Sequence, residues 1–234
     1  MSSRPRRLDP PACRRIAEAF LPDRRLYWYV RGKLGSDPLY GGVAAALHNS
    51  RAPLLDIGCG IGLLAHTLRA AGVDLDYTGV DNDAGKIDQG RTALRRAGIA
   101  RAGLQVLDAT GGLPSHRGSV TLLDVLQVLP PQAQSPLLAA AAQRVAPDGY
   151  LVIRTGLADG NWRSHVTRAV DVLSKAVRWM NAGPTRYPTR DSLEAELASL
   201  GLSATFTPWW GNTPYNNWLV VATPAPSGSG SMVE

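Results

Sequence analysis

The sequence predicts an α/β fold built around a mainly parallel sheet. From residue 53 onward, short apolar runs alternate with segments of helical period, which is typical of repeated β-α units. A glycine-rich turn at 58–62 follows the first apolar run, and acidic residues stand at the ends of the next ones. These observations indicate parallel strands whose carboxyl ends meet at one edge, where a ligand is expected to bind.

The β-α repeat predicts five strands with three helices between them. The strands are predicted at 53–57, 76–80, 103–107, 120–126 and 149–155, and the helices at 62–71, 84–97 and 132–146. Two further helices, at 163–180 and 190–200, and two strands, at 203–207 and 217–223, are predicted after the repeat. We expect the last two strands to form an antiparallel pair, joined by an aromatic segment.

The chain of 234 residues is interpreted as one domain with added segments. Residues 1–50 lie outside the repeat and include a predicted helix at 11–20, so we expect an N-terminal helical cap or lid. Residues 51–223 form the main domain. The Pro/Gly/Ser-rich residues 224–234 are expected to be a disordered tail.

Composition excludes several classes of protein. No apolar run approaches the roughly 20 residues that span a membrane, and the first residues lack the apolar stretch of a secretory signal. The expected location is therefore cytoplasmic. Two cysteines, Cys13 and Cys59, indicate neither a disulfide framework nor a zinc site, and no metal is expected.

The net charge of +6 is an N-terminal property. Residues 1–33 hold nine Lys/Arg and three Asp/Glu, whereas the remaining residues hold sixteen of each. The main domain is therefore neutral, and nucleic acid is not the expected partner.

The turn after the first predicted strand has the composition of a nucleotide-binding turn. Its glycines let the backbone approach a ligand closely, and the helix that follows offers free N–H groups. Gly62 comes one residue earlier than the third glycine of G-x-G-x-x-G, so the spacing argues against a dinucleotide.

Four acidic residues, Asp56, Asp81, Asp108 and Asp124, occur at or near four successive strand ends. Asp81 follows Gly58 by 23 residues, where a carboxylate can accept hydrogen bonds from both ribose hydroxyls. Asp108 stands where it can accept from the exocyclic amine of an adenine. Each acid alone could be an ordinary carboxylate at a loop edge, but the four together favour a cofactor site.

Five segments in order, LLDIGCGIG, VD at Asp81, DA at Asp108, LLDVLQVLP and PDGYLVIRT, resemble the motifs of class I S-adenosylmethionine-dependent methyltransferases. The resemblance covers about 50–156, and 157–223 in outline. It implies a three-layer, Rossmann-like methyltransferase sheet, mainly parallel with an antiparallel last strand, and S-adenosyl-L-methionine as the cofactor.

The resemblance also implies residue roles. The glycine turn would hold the methionine part, Asp56 would fix the turn and face the methionine amine, and Asn82 and Ala109 would lie beside the adenine. The full expected cofactor set is Asp56, Gly58, Cys59, Gly60, Gly62, Asp81, Asn82, Asp108, Ala109, Asp124, Arg31 and Lys33. Gln127 departs from the family, because many relatives carry histidine there, so no base is assigned to it.

The residues expected to contact the methyl acceptor lie in the segments outside the β-α repeat. Methyl transfer is an in-line displacement at a sulfonium, which depends on positioning in a dry site. His165 is the first candidate for a general base, with a surface histidine as the alternative. The expected acceptor contacts, for which core packing is the alternative, are Tyr27, Tyr29, Trp162, Trp209, Trp210, Asn212 and Tyr215. Arg31 or Lys33 is expected to meet the methionine carboxylate or an anionic acceptor.

The expected function is methyl transfer to a small, aromatic or partly apolar acceptor, in a secondary-metabolite or pigment pathway. One alternative is a methyltransferase that acts on RNA or on a carrier-protein-bound substrate through the basic N-terminal segment. Another is a non-catalytic adenosylmethionine-binding protein. The sequence leaves open the acceptor, the methylated atom and the oligomeric state.

Overall fold

The computed structural model describes residues 8–158, 187–210 and 216–226. The strands within these ranges are β1 (Leu54–Ile57), β2 (Tyr77–Asp81), β3 (Ala102–Val106), β4 (Ser119–Leu123), β5 (Leu151–Gly156), β6 (Leu202–Pro208) and β7 (Asn217–Pro224). The α-helices are α1 (Pro10–Glu18), α2 (Arg24–Ser36), α3 (Leu39–Ala46), α4 (Leu63–Ala70), α5 (Ala84–Arg96), α6 (Pro131–Ala142) and α7 (Arg190–Ser199). A short 3-10 helix covers Leu126–Val128.

The strands form one sheet in the order β3-β2-β1-β4-β5-β7-β6. All neighbours from β3 to β5 are parallel, whereas β7 runs antiparallel to both β5 and β6. The predicted α/β class and the antiparallel last strand are therefore confirmed.

Alternate strand residues point to two apolar layers, as the period of a strand requires. Leu55 and Ile57 of β1 pack into a cluster with residues of α6 and α7, whereas Leu54 packs into a second cluster with residues of α3, α4 and α5. The sheet is therefore the middle of three layers, and its central strands β1 and β5 are buried on both faces, whereas the edge strands β3 and β6 are partly exposed.

The N-terminal segment contributes more helix than predicted. Asp9 caps α1 by accepting a hydrogen bond from Ala12 N at 2.9 Å, and Asp23 caps α2 through Arg25 N and Leu26 N. Both helices pack into a third apolar cluster with residues of α4 and α5, but α3 lies in the sheet core. The predicted division at residue 50 stays a prediction.

Other boundaries differ by a few residues for local reasons. Strand β4 ends at Leu123, not at 126, because Asp124 has a φ of 63° that extended backbone cannot accommodate.

The predicted helix 163–180 lies outside the described residues. Within the described ranges, no helix combines the length and apolarity that crossing a bilayer requires.

Candidate active site

Two adjoining cavities lie where the strand order reverses. Strands β2 and β3 are on one side of β1, and β4 and β5 are on the other, so the carboxyl ends of β1 and β4 flank a crevice. The larger cavity has a volume of about 290 Å³ and the smaller one about 170 Å³. Gly58, Leu123 and Asp124 line both, so the cavities meet at these residues.

The glycine turn forms the wall at the junction. Gly58, Gly60 and Gly62 have φ values of 75°, 56° and 70°, a region that favours glycine. Gly58 N donates to Val80 O at 2.8 Å, which ties the turn to β2. Helix α4 begins at Leu63, directly after the turn. The sequence thus folds here into the strand-turn-helix that suits close approach by a ligand.

Asp81, at the end of β2, joins the glycine turn to the start of α5. Its Oδ2 accepts from Gly60 N and its Oδ1 accepts from Asp83 N, both at 2.9 Å. The side chain lines the larger cavity. Since each carboxylate oxygen has more than one lone pair, Asp81 retains acceptor capacity toward a ligand.

Asp108 lies beyond β3 on the same cavity, with Asn82 and Ala109. Its Oδ1 accepts from both Thr110 Oγ1 at 2.7 Å and Thr110 N at 2.9 Å. These hydrogen bonds lower the pKa of the Asp108 carboxyl, so the group is an ionised acceptor at neutral pH. Oδ2 is the oxygen that remains for a ligand donor.

Asp56 is anchored inside the sheet. Its Oδ2 accepts from Tyr77 Oη at 2.5 Å and its Oδ1 accepts from Thr121 Oγ1 at 2.7 Å, which connects β1 to both of its neighbours. Burial raises the pKa of Asp56 to about 6. Asp56 also borders the smaller cavity, so it combines a fixing role with a position near the junction.

The smaller cavity is closed on one side by the N-terminal helices. Tyr29, Lys33, Leu39 and Tyr40 line it, opposite the glycine turn and Asp124. Two charges of opposite sign, Lys33 and Asp124, therefore border one small cavity. Sequence reasoning missed Tyr40, the second residue of α3, although its place within the predicted cap was a usable signal.

The crevice belongs to a chain that matches a known protein family. The family model described as a methyltransferase domain matches residues 39–205, which is most of the chain. The chain belongs to the methyltransferase domain family. The predicted class of enzyme, a class I S-adenosylmethionine-dependent methyltransferase, is thereby confirmed. None of the curated proteins matches this methyltransferase.

Solved structures with the same fold are methyltransferases of low sequence identity. Magnesium protoporphyrin IX methyltransferase from Synechocystis PCC 6803, with bound S-adenosylhomocysteine, is 18% identical with a TM-score of 0.62, covering 80% of this chain and 82% of that chain. Mitomycin 7-O-methyltransferase is 22% identical with a TM-score of 0.64, covering 90% of this chain and 60% of that chain. An O-methyltransferase from neocarzinostatin biosynthesis, with S-adenosylmethionine and 2-hydroxy-5-methyl naphthoic acid, is 18% identical with a TM-score of 0.56. Its alignment covers 89% of this chain and 66% of that chain, so the methyltransferase spans less than two thirds of the last two.

The expected cofactor residues are brought together with one exception. Ten of them line one or both cavities: Lys33, Asp56, Gly58, Cys59, Gly60, Asp81, Asn82, Asp108, Ala109 and Asp124. Gly62 completes the turn. Arg31 instead contacts its own helix, donating to Tyr27 Oη at 3.3 Å and lying 5.9 Å from the centre of the Trp28 ring.

The expected acceptor residues are divided by the structure. Tyr29 lines the smaller cavity, whereas Tyr27 packs edge-on against Trp28. Trp209 Nε1 donates to Pro38 O at 2.8 Å, and Trp210 packs edge-on against Trp218, so both take part in packing. Trp162, His165, Asn212 and Tyr215 lie outside the described residues.

Proposed function

We propose that the enzyme binds S-adenosylmethionine across the two cavities and transfers its methyl group to a small aromatic or partly apolar acceptor. The observation that supports this most is the pair of cavities, one about 290 Å³ and one about 170 Å³, that meet at Gly58 and Asp124. Adenosine is larger than the amino-acid end of the cofactor, so the two volumes match its two ends.

The larger cavity is proposed to hold the adenosine. Asp81 presents carboxylate oxygens at the end of β2, where ribose hydroxyls can donate to them. Asp108 Oδ2 would accept from the adenine amine, and Leu107, Val125 and Leu129 offer an apolar surface for the ring. The residues present therefore fit the cofactor.

The smaller cavity is proposed to hold the amino-acid end. Lys33 would meet the α-carboxylate and Asp124 the α-ammonium, since the two side chains border the cavity with opposite charges. Asp124 takes this role in place of the expected Asp56, because burial raises the pKa of Asp56 to about 6 and so favours its neutral form. The sulfur would then lie near the junction at Gly58. The donor supplies an electrophilic methyl group on its sulfonium, which the acceptor nucleophile attacks as the carbon–sulfur bond breaks.

The chain's own contribution is to hold the two reactants in line and exclude water. Tyr29 and Tyr40 place aromatic surface on the smaller cavity, beside the proposed amino-acid end of the cofactor, where it helps to exclude water. His165 stays the proposed base for a hydroxyl acceptor. The small-molecule class is also supported by structural neighbours whose names refer to mitomycin and a naphthoic acid.

Calorimetry is expected to show binding of S-adenosylmethionine and S-adenosylhomocysteine at micromolar concentrations, with no heat from NAD. The reasons are the early third glycine, which departs from the dinucleotide spacing, and the smaller cavity of about 170 Å³, which leaves little room for a second nucleoside. NAD binding without adenosylhomocysteine binding would overturn the proposed function.

Turnover is expected with a panel of hydroxylated naphthoic acids, detected as S-adenosylhomocysteine release and as one added methyl group by mass spectrometry. The base is tested by His165→Gln, which should lower the rate of methylation of hydroxyl acceptors. As a control, the affinity of this variant for S-adenosylhomocysteine should be unchanged. Release of adenosylhomocysteine only with RNA or a carrier-bound substrate would contradict the small-molecule class.

A further inference from the structure

A buried arginine lies behind the wall that the two cavities share. Arg154 belongs to β5, and its side chain is only 6% exposed. Its Nη1 donates to Asp124 Oδ2 at 2.7 Å and to Asp37 Oδ2 at 2.9 Å. Arg154 is not among the described residues that line either cavity, so any effect on a ligand passes through its partners.

The first partner, Asp124, is held in an unfavourable backbone conformation. Its φ of 63° is in the left-handed region, which costs a residue with a side chain on the order of 1 kcal/mol. Gln127 Nε2 also donates to Asp124, but at 3.3 Å, a weaker contact than that of Arg154. Arg154 therefore supplies the stronger contact that keeps this carboxylate at the junction.

The second partner, Asp37, connects Arg154 to a cationic residue that lines the smaller cavity. Asp37 Oδ2 also accepts from Lys33 Nζ at 2.7 Å, and Lys33 lines the smaller cavity. Burial raises the pKa of Asp37, but the charges of Arg154 and Lys33 outweigh it and lower the pKa to about 2. Arg154 thus holds the carboxylate of Asp124 directly and, through Asp37, orients the ammonium group of Lys33 on the other side of the smaller cavity.

We propose that Arg154 is a positioning residue for the amino-acid end of the cofactor and acts mainly through Asp124. This rests on the proposed function, in which the smaller cavity takes that end. Arg154, a residue inside β5, thereby favours ligands that carry an α-ammonium and an α-carboxylate over ligands that carry only adenosine.

The test compares two ligands of the full chain by calorimetry: S-adenosylhomocysteine and 5′-methylthioadenosine, which lacks the amino-acid end. Arg154→Met should weaken adenosylhomocysteine binding by about tenfold, equal to the loss of one charge-assisted contact, and change methylthioadenosine binding by less than about twofold. Asp124→Asn should shift the ratio in the same direction. Because Arg154 acts through Asp124, the double variant Arg154→Met/Asp124→Asn should bind S-adenosylhomocysteine as tightly as the single variant with the lower affinity.

A matched control is Arg144→Met. Arg144 donates to the carbonyl oxygens of Leu113, Pro114 and Ala140, away from both cavities, so its loss should leave the ratio of the two affinities unchanged. If Arg154→Met does not fold, Arg154→Lys keeps the buried charge and should still weaken adenosylhomocysteine alone, by about threefold.

The alternative outcomes are distinguishable. Equal weakening of both ligands, or additive losses in the Arg154→Met/Asp124→Asn double variant, would overturn the positioning role and leave the proposed function standing. A wild-type chain that binds neither ligand would overturn the proposed function and this inference with it.

Discussion

Replacing Gly58 with alanine is expected to abolish measurable cofactor binding and to lower the free energy of unfolding by about 2–5 kcal/mol. Two causes add. The φ of 75° is in the left-handed region, and a β-carbon at this position would overlap Val125 Cγ2. Since Gly58 and Val125 line the larger cavity, relief of the overlap must move a cavity wall. Urea unfolding and calorimetry with S-adenosylhomocysteine measure the two effects.

Two control variants separate the causes. Gly98→Ala carries the same backbone strain, with a φ of 65°, but its β-carbon meets nothing within 4 Å and it follows α5 at the other edge of the sheet. It should cost about 1 kcal/mol of stability and leave affinity unchanged. The double variant Gly58→Ala/Val125→Ala removes the overlap but keeps the strain, so it should recover part of the stability. Wild-type affinity in Gly58→Ala would show that the turn is not a ligand wall.

The parts of the fold that the sequence predicted depend on local patterns. Each strand of the repeat is an apolar run bounded by turn residues, so all five were located to within a few residues. Asp81 and Asp108 were placed at strand ends, and parallel strands bring such ends to one edge. The place of these two acids at the larger cavity follows from this pattern.

The parts that were missed depend on contacts distant in sequence. Arg154 and Asp37 are 117 residues apart, and no local pattern links them. The contact of Asp56 with Tyr77 and Thr121 depends on the register of three strands, which periodicity does not give. One signal was available: an arginine within the apolar strand LVIRTG must be paired, because a buried charge without a partner is costly.

Helices α2 and α3 were missed for a different reason. The segment of α2 mixes aromatic, basic and glycine residues, and α3 contains two glycines, Gly41 and Gly42, which disfavour a helix taken alone. Tertiary packing overrides these propensities, since Val30 and Leu34 of α2 and Val43 of α3 are buried. Local signs of these starts were Asp23, which accepts from Arg25 N and Leu26 N, and Asp37, which accepts from Leu39 N.

Asp81→Ala is expected to weaken binding of S-adenosylmethionine by about 1–3 kcal/mol, or roughly 5- to 150-fold in Kd. The variant removes the proposed acceptor for the ribose hydroxyls and leaves Gly60 N and Asp83 N without their partner. Asp81→Asn keeps one acceptor oxygen without the charge and should lie between wild type and alanine. Calorimetry of the three proteins gives this order.

The control for Asp81 is Asp88→Ala, which removes an exposed carboxylate on α5 that pairs with Arg91 at 3.3 Å. A surface ion pair of this kind contributes little, so both affinity and stability should stay close to wild type. Because Asp81 is half-buried at the crevice and lies at the end of β2, its alanine variant should keep the sheet and lose mainly the ligand. Unchanged affinity with full activity would remove Asp81 from the ribose site. If the variant unfolds instead, the carboxylate serves the turn through Gly60 and Asp83, and the ribose acceptor must be sought elsewhere along the larger cavity.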